Sequence, residues 1–209
     1  MKLVSLVSAL ALAGCSVVGI RSGTEEPSFS VIARLGSVQI RQYPPRLAAS
    51  VTIQGDEIAA RSAGFRRLAG FIFGANSAAS SIAMTAPVAQ SAASSKIAMT
   101  APVAQTQDAS GAWTISFYMP AQYTQETLPR PNDKGIVISE VPAQTYAVYR
   151  FSGIPGRASV ANATDILRAA LVGAPWQPVG APLDWFYDPP WTLPWLRRNE
   201  VALSVTQHP

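Results

Sequence analysis

The amino-acid sequence predicts an α+β domain in which two helices flank a mostly antiparallel sheet. Several short segments alternate apolar and polar residues with the period of two that half-buried strands show. Two longer segments repeat their apolar residues with helical spacing instead. The order strand, strand, helix, strand, strand occurs twice along the chain. We therefore predict a twofold ββαββ repeat whose halves pair their sheets, and a closed sheet of about eight strands would leave room for one small ligand.

In the first half of the repeat, alternation predicts strands at residues 37–44, 47–53 and 113–120. Between the second and third strands, the apolar residues take on helical spacing. The spacing predicts a helix over residues 56–73, with Asp56 as its N-cap and Gly74 as its stop. The residues that fall at helical spacing are Ile58, Ala59, Ser62, Phe65, Leu68 and Ile72.

In the second half, strands are predicted at residues 135–141, 144–153, 183–190 and 199–205. The spacing over residues 158–174 predicts the second helix, with Gly173 near its end. Its expected inner face consists of Val160, Ala163, Leu167, Ala170 and Leu171. The last strand places Val201, Leu203 and Val205 on one side.

One short segment between the first helix and the Trp113 strand is duplicated. Residues 77–90 recur as residues 91–105, and Lys96 is the insertion that distinguishes the copies. Two copies are too few for a solenoid, which needs about three stacked units. The repeated IAMTAPV is strand-like, and the fold offers one strand position there. We expect one copy to fill it and the other to form a loop, unless the two form a hairpin; the sequence does not decide which copy enters the sheet.

The N-terminus has the pattern of a lipoprotein signal peptide over residues 1–14. Lys2 precedes an apolar run at residues 3–13, which is shorter than the roughly 20 residues that span a bilayer. The sequence LAGC then ends at Cys15 and is similar to a bacterial lipobox, so the Cys15 thiol is the expected lipid attachment point. The alternative is an ordinary secretory signal with an incidental cysteine.

Lipidation at Cys15 would tie the chain to a membrane, because several buried acyl chains give a stable anchor. Ser16 follows the cysteine, which in Gram-negative lipoproteins favours the outer membrane, with the protein facing the periplasm. Residues 15–28 show little periodicity and predict a tether. The folded domain is expected at residues 29–209.

The amino-acid composition limits the classes of function that this chain can have. The 209-residue chain is 48% hydrophobic and 13% charged, which supports a sizeable core. Its net charge of +4 comes from scattered basic residues, the densest groups being Arg66-Arg67 and Arg197-Arg198. Without a basic helix or arm, we expect no nucleic-acid binding. Because there is one cysteine, an intrachain disulfide is excluded.

Four segments carry a family resemblance: GFRRLAGFIFGAN, SKIAMTAPV, WTISFYMP and YDPPWTLPWLRRNEVAL at residues 187–203. They resemble the SOUL haem-binding family, in the family's order, from about Phe29 to Val205. The resemblance implies a distorted antiparallel β-barrel made of a twofold repeat, which is also similar in fold to bacterial drug-binding effector domains. It further implies a haem or other tetrapyrrole ligand; some plant relatives are linked to tetrapyrrole trafficking.

The first predicted helix offers a site for such a ligand. Apolar side chains could hold the macrocycle and guanidinium groups its propionates. The candidates are Phe65, Leu68, Phe71 and Ile72 for the ring and Arg61, Arg66 and Arg67 for the carboxylates. Trp191 and Trp195, in a proline-rich loop, could form a lid over a barrel mouth. The alternatives are that the helix residues form core, the arginines are solvated, and the loop plugs the barrel end.

An axial iron ligand is harder to find. The one histidine, His208, is the penultimate residue, and an acylated Cys15 has no thiolate. Methionine and tyrosine candidates remain, namely Met84, Met99, Met119, Tyr43, Tyr118, Tyr146 and Tyr149. We therefore expect haem to bind, if it does, through apolar and electrostatic contacts without a histidine ligand, and metal-free porphyrins to be comparable ligands.

Catalytic motifs are absent from the sequence: it contains no CxxC, HExxH, GxSxG or phosphate-binding glycine loop. The acids Asp184, Asp188 and Glu200 near the last strands could act as acid, base or cation receptor in a pocket. Alternatively, Glu200 forms a salt bridge with Arg197 or Arg198.

The sequence features together leave three alternative functions. The favoured one is a lipid-anchored periplasmic carrier or buffer for haem or another tetrapyrrole that catalyses nothing. The second is a module that binds other apolar or cationic small molecules, or an envelope protein, without a haem role; a Glu200 facing a pocket would favour cations. The third is a hydrolase or tetrapyrrole-modifying enzyme, which needs carboxylates and polar partners in one pocket.

Overall fold

The structure is a computed structural model that describes residues 24–77 and 94–208. The chain forms two compact units. The first unit contains Phe29–Tyr43 and the chain from Thr145 onward, and the second contains Glu25–Ser28 and Pro44–Gln144. The predicted signal peptide and Cys15 lie outside the described residues. No helix among the described residues is both long enough and apolar enough to cross a bilayer.

The described residues form strands and two α-helices. In chain order they are β1 (Ser30–Leu35), β2 (Val38–Tyr43), β3 (Arg46–Ile53), α1 (Glu57–Ile72), β4 (Asn76–Ser77), β5 (Val103–Gln107), β6 (Trp113–Tyr118), β7 (Arg130–Pro131), β8 (Val137–Val141), β9 (Gln144–Phe151), α2 (Arg157–Leu171), β10 (Trp176–Phe186) and β11 (Asn199–Gln207). A short 3-10 helix at Pro194–Leu196 precedes β11.

In the first unit the strand order is β1-β2-β9-β11-β10, and α2 packs on one face of this sheet. Ala163, Leu167 and Leu171 are buried there against Val38, Ile40 and the β11 residues. Val201, Leu203 and Val205 are at most 3% exposed and all lie in this core, as the alternation predicted. The helix ends at Leu171, and Gly173 follows with a φ of +73°, a conformation that glycine adopts without strain.

In the second unit the strand order is β5-β6-β3-β8, β4 pairs with β7, and α1 packs on the larger sheet. Asp56 caps α1, and its Oδ1 accepts the N–H groups of Ile58 and Ala59 at 3.0 and 3.2 Å. Gly64 contacts the sheet so closely that a Cβ atom there would lie 2.7 Å from Ile115 Cγ1.

The residues at helical spacing in α1 do not form a single buried face. Leu68 and Ile72 are buried, but Ala59 and Ser62 are exposed, and Ile58 and Phe65 are 63% and 38% exposed. The face that meets the sheet instead contains Ala60, Gly64, Leu68, Phe71 and Ile72. The physical reason is the short distance between helix and sheet, which small residues at positions 60 and 64 permit.

The second copy of the duplicated segment fills the strand position. Val103–Gln105 begins β5, and Ile97 belongs to the core of the second unit, where its N–H donates to the Ile72 carbonyl at 2.8 Å. Residues 78–90 of the first copy lie outside the described residues, and so does the loop predicted for it.

The α+β class with a mostly antiparallel sheet and two helices is confirmed. The strands of neither unit close on themselves, so the predicted barrel is not confirmed, and the twofold repeat stays a prediction. Strand β1 was missed because its side chains are mostly exposed. Strand β10 begins earlier than predicted, since a bulge between Val179 and Leu183 interrupts its alternation.

Candidate functional site

The apolar residues predicted for a tetrapyrrole site divide between the core and the surface of the second unit. Leu68, Phe71 and Ile72 are at most 1% exposed and belong to the hydrophobic core. Phe65 is partly exposed, and its ring packs edge-on against Phe117 with 5.4 Å between centroids. Phe65 is therefore the member of this group that a surface-bound ligand can contact.

The outer face of α1 carries a row of exposed apolar residues, of which Phe65 alone was predicted to contact a ligand. Ile58 and Phe65 lie within about 20° of each other around the helix, and Phe73 lies about 80° from Phe65. Phe73 is 58% exposed and directly follows the last helical residue. We call Ile58, Phe65 and Phe73 the α1 outer stripe; exposed Arg66 is next to it.

Two of the three predicted arginines are engaged by carboxylates. Arg61 Nη2 lies 3.0 Å from Glu57 Oε1, one turn earlier in α1. Arg67 donates two hydrogen bonds to Asp133, at 2.6 and 2.7 Å. These bonds lower the pKa of Asp133 to about 2, and Asp133 raises the pKa of Arg67. Arg66 forms no ion pair within the described part of the chain, so its guanidinium is the one best placed for a ligand carboxylate.

Trp191 belongs to the first unit, in a loop at residues 187–198. Trp191 and Trp195 are 63% and 68% exposed, so neither plugs a core as one of the alternatives proposed. The loop is held by the Arg197 guanidinium, which donates to the carbonyls of Pro190 and Thr192. Its two tryptophans therefore project from an ordered backbone.

Glu200 is the centre of a buried polar cluster in the first unit. Its carboxylate accepts two hydrogen bonds from Arg41, at 2.8 and 3.1 Å, and one from Arg198 Nε at 3.0 Å. The Tyr187 hydroxyl donates a fourth bond at 2.8 Å. The predicted pairing of Glu200 with Arg198 is confirmed. Arg197 bonds to backbone carbonyls instead, while Arg41 and Tyr187 were not predicted.

Charge compensation keeps Glu200 ionised. Burial would raise the pKa of Glu200, but the hydrogen bonds and charge of Arg41, with help from Arg198 and Tyr187, hold that pKa below its usual range. Burial and the charge of Glu200 raise the pKa of Tyr187 well above its ordinary value. A carboxylate bound by two guanidinium groups is not available to a cationic ligand or as a general base.

The other two acids do not join Glu200 in a catalytic arrangement. Asp184 is buried, but it precedes Trp185, the partner of Glu200 across β10 and β11, and so faces the opposite side of the sheet. Asp188 is half-buried, and its Oδ2 accepts the backbone N–H of Arg198 at 2.6 Å. The described residues contain no group of three or more His, Cys, Asp or Glu that could hold a metal.

A groove of about 410 Å³ lies in the second unit. Its charged lining consists of one guanidinium group and four carboxylates, from Arg46, Glu25, Glu26, Glu126 and Glu140. Apolar lining comes from Leu47, Met119 and Tyr123, together with several prolines. Arg46 stacks over the Tyr118 ring at 4.7 Å and donates to the Pro44 carbonyl. The groove favours a ligand with positive charge and an apolar body.

Most of the axial-ligand candidates within the described residues are buried side chains. His208 is exposed in the first unit, where its backbone N–H donates to Pro175. Met119, Tyr43, Tyr118 and Tyr146 are all at most 6% exposed. Met99 is 37% exposed in the second unit, and Met84 lies outside the described residues. The α1 outer stripe and Arg66 fit a porphyrin ring and its propionates, but they supply no imidazole or thiolate.

Comparison with known proteins identifies the family. The model of the SOUL heme-binding protein family matches residues 24–204, which is most of the chain. The chain belongs to the SOUL heme-binding protein family. The match spans residues of both units and confirms the family resemblance that the sequence motifs of this SOUL protein predicted. No curated protein matches it.

Solved structures share the fold of this SOUL protein at low sequence identity. The EcmrR C-terminal domain superposes with a TM-score of 0.56 at 13% identity, covering 81% of this chain and 97% of that domain. In a complex of EcmrR with DNA, the match covers 57% of the EcmrR chain, a little over half its length, with a TM-score of 0.55. A hydrolase from Listeria innocua gives 0.50 at 10% identity, covering 89% and 94%. At these identities the similarity concerns the fold alone.

Proposed function

We propose that this SOUL protein is a lipid-anchored periplasmic carrier or buffer that binds haem or a related tetrapyrrole on the α1 outer stripe. The observation that carries the proposal is the exposed apolar row of Ile58, Phe65 and Phe73 beside the exposed guanidinium of Arg66. Membership of a heme-binding family supports the same ligand class.

The stripe suits a flat, apolar ring. Phe65 and Phe73 are separated by about 12 Å along the axis at the helical rise of 1.5 Å per residue, so a macrocycle can lie over both. Covering these side chains removes apolar surface from water, which is the main driving force for a ligand of this kind. Because Leu68, Phe71 and Ile72 stay in the core below, the ring binds on the helix surface.

Arg66 is the proposed partner of a propionate. Its guanidinium offers the paired N–H donors that carboxylates accept, and it is exposed next to Phe65. Arg67 is paired with Asp133 through two hydrogen bonds, and Arg61 is bonded to Glu57, so both are secondary candidates. Without an imidazole at α1, iron contributes little to the affinity, and protoporphyrin binds about as tightly as haemin.

The proposal that this carrier is not a catalyst rests on the partners and positions of the acidic residues near the last strands. Glu200 is neutralised by Arg41 and Arg198, and Asp184 faces the other side of the sheet. Neither provides the free acid–base pair that hydrolysis needs. The N-terminal sequence pattern supports the proposed lipid anchor at Cys15 and the proposed periplasmic location.

A titration of the mature chain without its lipidation site and signal segment, residues 16–209, tests the ligand. Haemin and protoporphyrin are added separately and followed by the Soret band, with Phe65→Ala/Phe73→Ala as the site variant. The matched control is Val172→Ala/Val179→Ala, which removes exposed apolar side chains from the first unit. We expect saturable one-to-one binding at micromolar concentration that the site variant weakens and the control leaves unchanged.

Three results would contradict this proposal. Unsaturable binding to every variant would contradict the tetrapyrrole function. An equal loss of affinity in the site variant and the control variant would contradict the location of the site on α1. A Soret shift with haemin, but no binding of protoporphyrin, would show that an iron ligand dominates.

An alternative function is binding of an apolar cation, and the groove in the second unit favours it. Four carboxylates and one guanidinium line that groove around Tyr123, whose ring can face a cation. Fluorescence titration with ethidium tests this function, with Glu126→Gln/Glu140→Gln as the groove variant and Asp108→Asn as a charge control elsewhere. Saturable binding that the groove variant alone weakens would support it, and absence of binding would exclude it for this dye class.

A further inference from the structure

The loop at residues 187–198 exposes two tryptophans although tryptophan is among the side chains that proteins bury most. Leu196 is 39% exposed beside them, and Ile154 is 66% exposed on the turn after β9. That turn is bonded to the loop, because the Gly153 N–H donates to the Pro194 carbonyl at 2.9 Å. We call Ile154, Trp191, Trp195 and Leu196 the tryptophan patch.

The patch is preorganised by its own backbone. Thr192, between the two tryptophans, is 1% exposed, and its N–H donates to the Pro189 carbonyl at 3.1 Å. Arg197 clamps the loop through the carbonyls of Pro190 and Thr192. Prolines restrict the backbone further. Exposure of the tryptophans therefore does not result from a disordered loop, and little conformational entropy is lost when a partner covers them.

The N-terminal chain enters the first unit next to this loop. The Arg41 Cζ lies 4.4 Å from the centre of the Phe29 ring, and Arg41 shares Glu200 with Arg198 at the end of the loop. From Cys15 to Phe29 the chain can extend at most about 50 Å. An acyl group on Cys15 would thus keep Phe29 within that distance of the bilayer, and Phe29 contacts the Arg41–Glu200–Arg198 cluster at the end of the tryptophan loop.

We propose that the tryptophan patch docks on the surface of a bilayer that contains anionic phospholipid. The proposal rests on the lipid anchor of the proposed function for the identity of the partner. Tryptophan is enriched at the membrane–water interface, where its apolar ring and its N–H group are both accommodated. Arg197, whose guanidinium donates to uncharged backbone carbonyls, adds positive charge next to the patch, which anionic headgroups attract, whereas the charge of Arg198 is compensated by Glu200. In this arrangement Trp191 contacts the membrane and not the tetrapyrrole.

Vesicle flotation of the mature chain without its lipidation site, residues 16–209, measures membrane binding by the tryptophan patch without the acyl anchor and without the apolar signal segment at residues 3–13. The vesicles contain equal amounts of phosphatidylethanolamine and phosphatidylglycerol. We expect the chain to float with them and Trp191→Ala/Trp195→Ala to lower its apparent affinity by about tenfold or more. The matched control, Ile58→Ala/Phe73→Ala, removes exposed apolar residues from the second unit and should float unchanged. Vesicles of phosphatidylcholine alone should bind less.

Haemin titration of the same variants separates this inference from the proposed function. The tryptophan variant should bind haemin as the parent chain does, whereas the Ile58→Ala/Phe73→Ala variant should bind it more weakly. If Cys15 proves not to be acylated but the tryptophans still direct flotation, the surface proposal stands and the anchor fails. If the parent chain does not float, or the tryptophan variant floats equally well, the proposal is overturned. Loss of haemin binding in that variant, with flotation unchanged, also overturns it.

Discussion

Arg41 and Glu200 form a doubly hydrogen-bonded ion pair in the interior of the first unit, although 159 positions separate them in the sequence. The side chains are 5% and 0% exposed. A buried pair of this kind stabilises little relative to an apolar core, but removing one partner leaves the other charged and buried. The cluster therefore acts as a constraint that holds β2, β11 and the end of the tryptophan loop together.

Replacing Glu200 tests that constraint. We expect Glu200→Gln to lower the free energy of unfolding by about 3 kcal/mol or more, because the guanidinium groups of Arg41 and Arg198 lose their counter-charge in a buried site. Urea unfolding followed by far-UV circular dichroism measures the change. Asp133→Asn is the control: it breaks the partly exposed pair with Arg67 and should cost less than about 1 kcal/mol. Equal effects would show that burial does not distinguish the two pairs.

The pH dependence of stability provides a second test. The pKa of Glu200 is lower in the folded chain than in the unfolded chain, where it is about 4.3. The unfolded chain therefore takes up the proton first as pH falls, and the stability contributed by Glu200 is present above about pH 4.3 and lost as pH falls through the folded pKa.

The measurement is urea unfolding at several pH values between about 2 and 6. The parent chain should lose stability more steeply than Glu200→Gln towards low pH, because the other carboxylates contribute equally to both. Asp133, whose pKa is lowered to about 2, adds a smaller loss between about pH 4 and 2, since solvent screens its pair with Arg67. If the free energy of unfolding falls equally with pH in the parent and in Glu200→Gln, the lowered pKa of Glu200 in the folded chain is contradicted.

Helix α1 offers a matched pair of glycines for a test of packing. A Cβ at Gly64 would lie 2.7 Å from Ile115 Cγ1 and 2.8 Å from its Cβ, whereas a Cβ at Gly70 would meet nothing within 4 Å. Gly64→Ala should therefore destabilise the chain by about 1–3 kcal/mol through overpacking. Gly70→Ala should stabilise it by about 0.5–1 kcal/mol through helix propensity.

Thermal and urea unfolding of both variants provide the comparison. The chemical change is identical and both positions are helical, so helix propensity alone predicts the same sign for both. Opposite signs would support the close contact between α1 and β6. Stabilisation by Gly64→Ala would show that the helix lies further from the sheet than the structure has it.

Features of this fold that depend on neighbouring residues in the chain can be predicted from the sequence, whereas features that depend on distant residues cannot. Helices α1 and α2 were placed within a few residues, because spacing and caps are local features. Apolar residues occupy two sides of α1, so the spacing that predicts the helix does not decide which side meets the sheet. In the structure, the side with Gly64 packs closely against Ile115 of the sheet.

The candidate site shows the same limit. Arg198 was predicted as a partner of Glu200 because the two lie close in sequence, but no local pattern connects Glu200 to Arg41. Leu68, Phe71 and Ile72 look like ligand contacts in sequence and are core residues in the structure. Arg66 and Arg67 are equivalent in sequence, and Asp133, far along the chain, is what distinguishes them.

That distinction leads to the last prediction. Arg66→Ala should weaken binding of both haemin and protoporphyrin by about fivefold at low salt, because it removes an exposed guanidinium from a propionate. Arg67→Ala removes the same charge from the same helix but leaves Asp133 unpaired, and it should change the affinity by less than about twofold. The effect of Arg66 should shrink as ionic strength rises, since salt screens exposed charges. Equal losses in the two variants would point to general attraction by net charge, and a larger loss in Arg67→Ala would move the propionate to the Asp133 side of the helix.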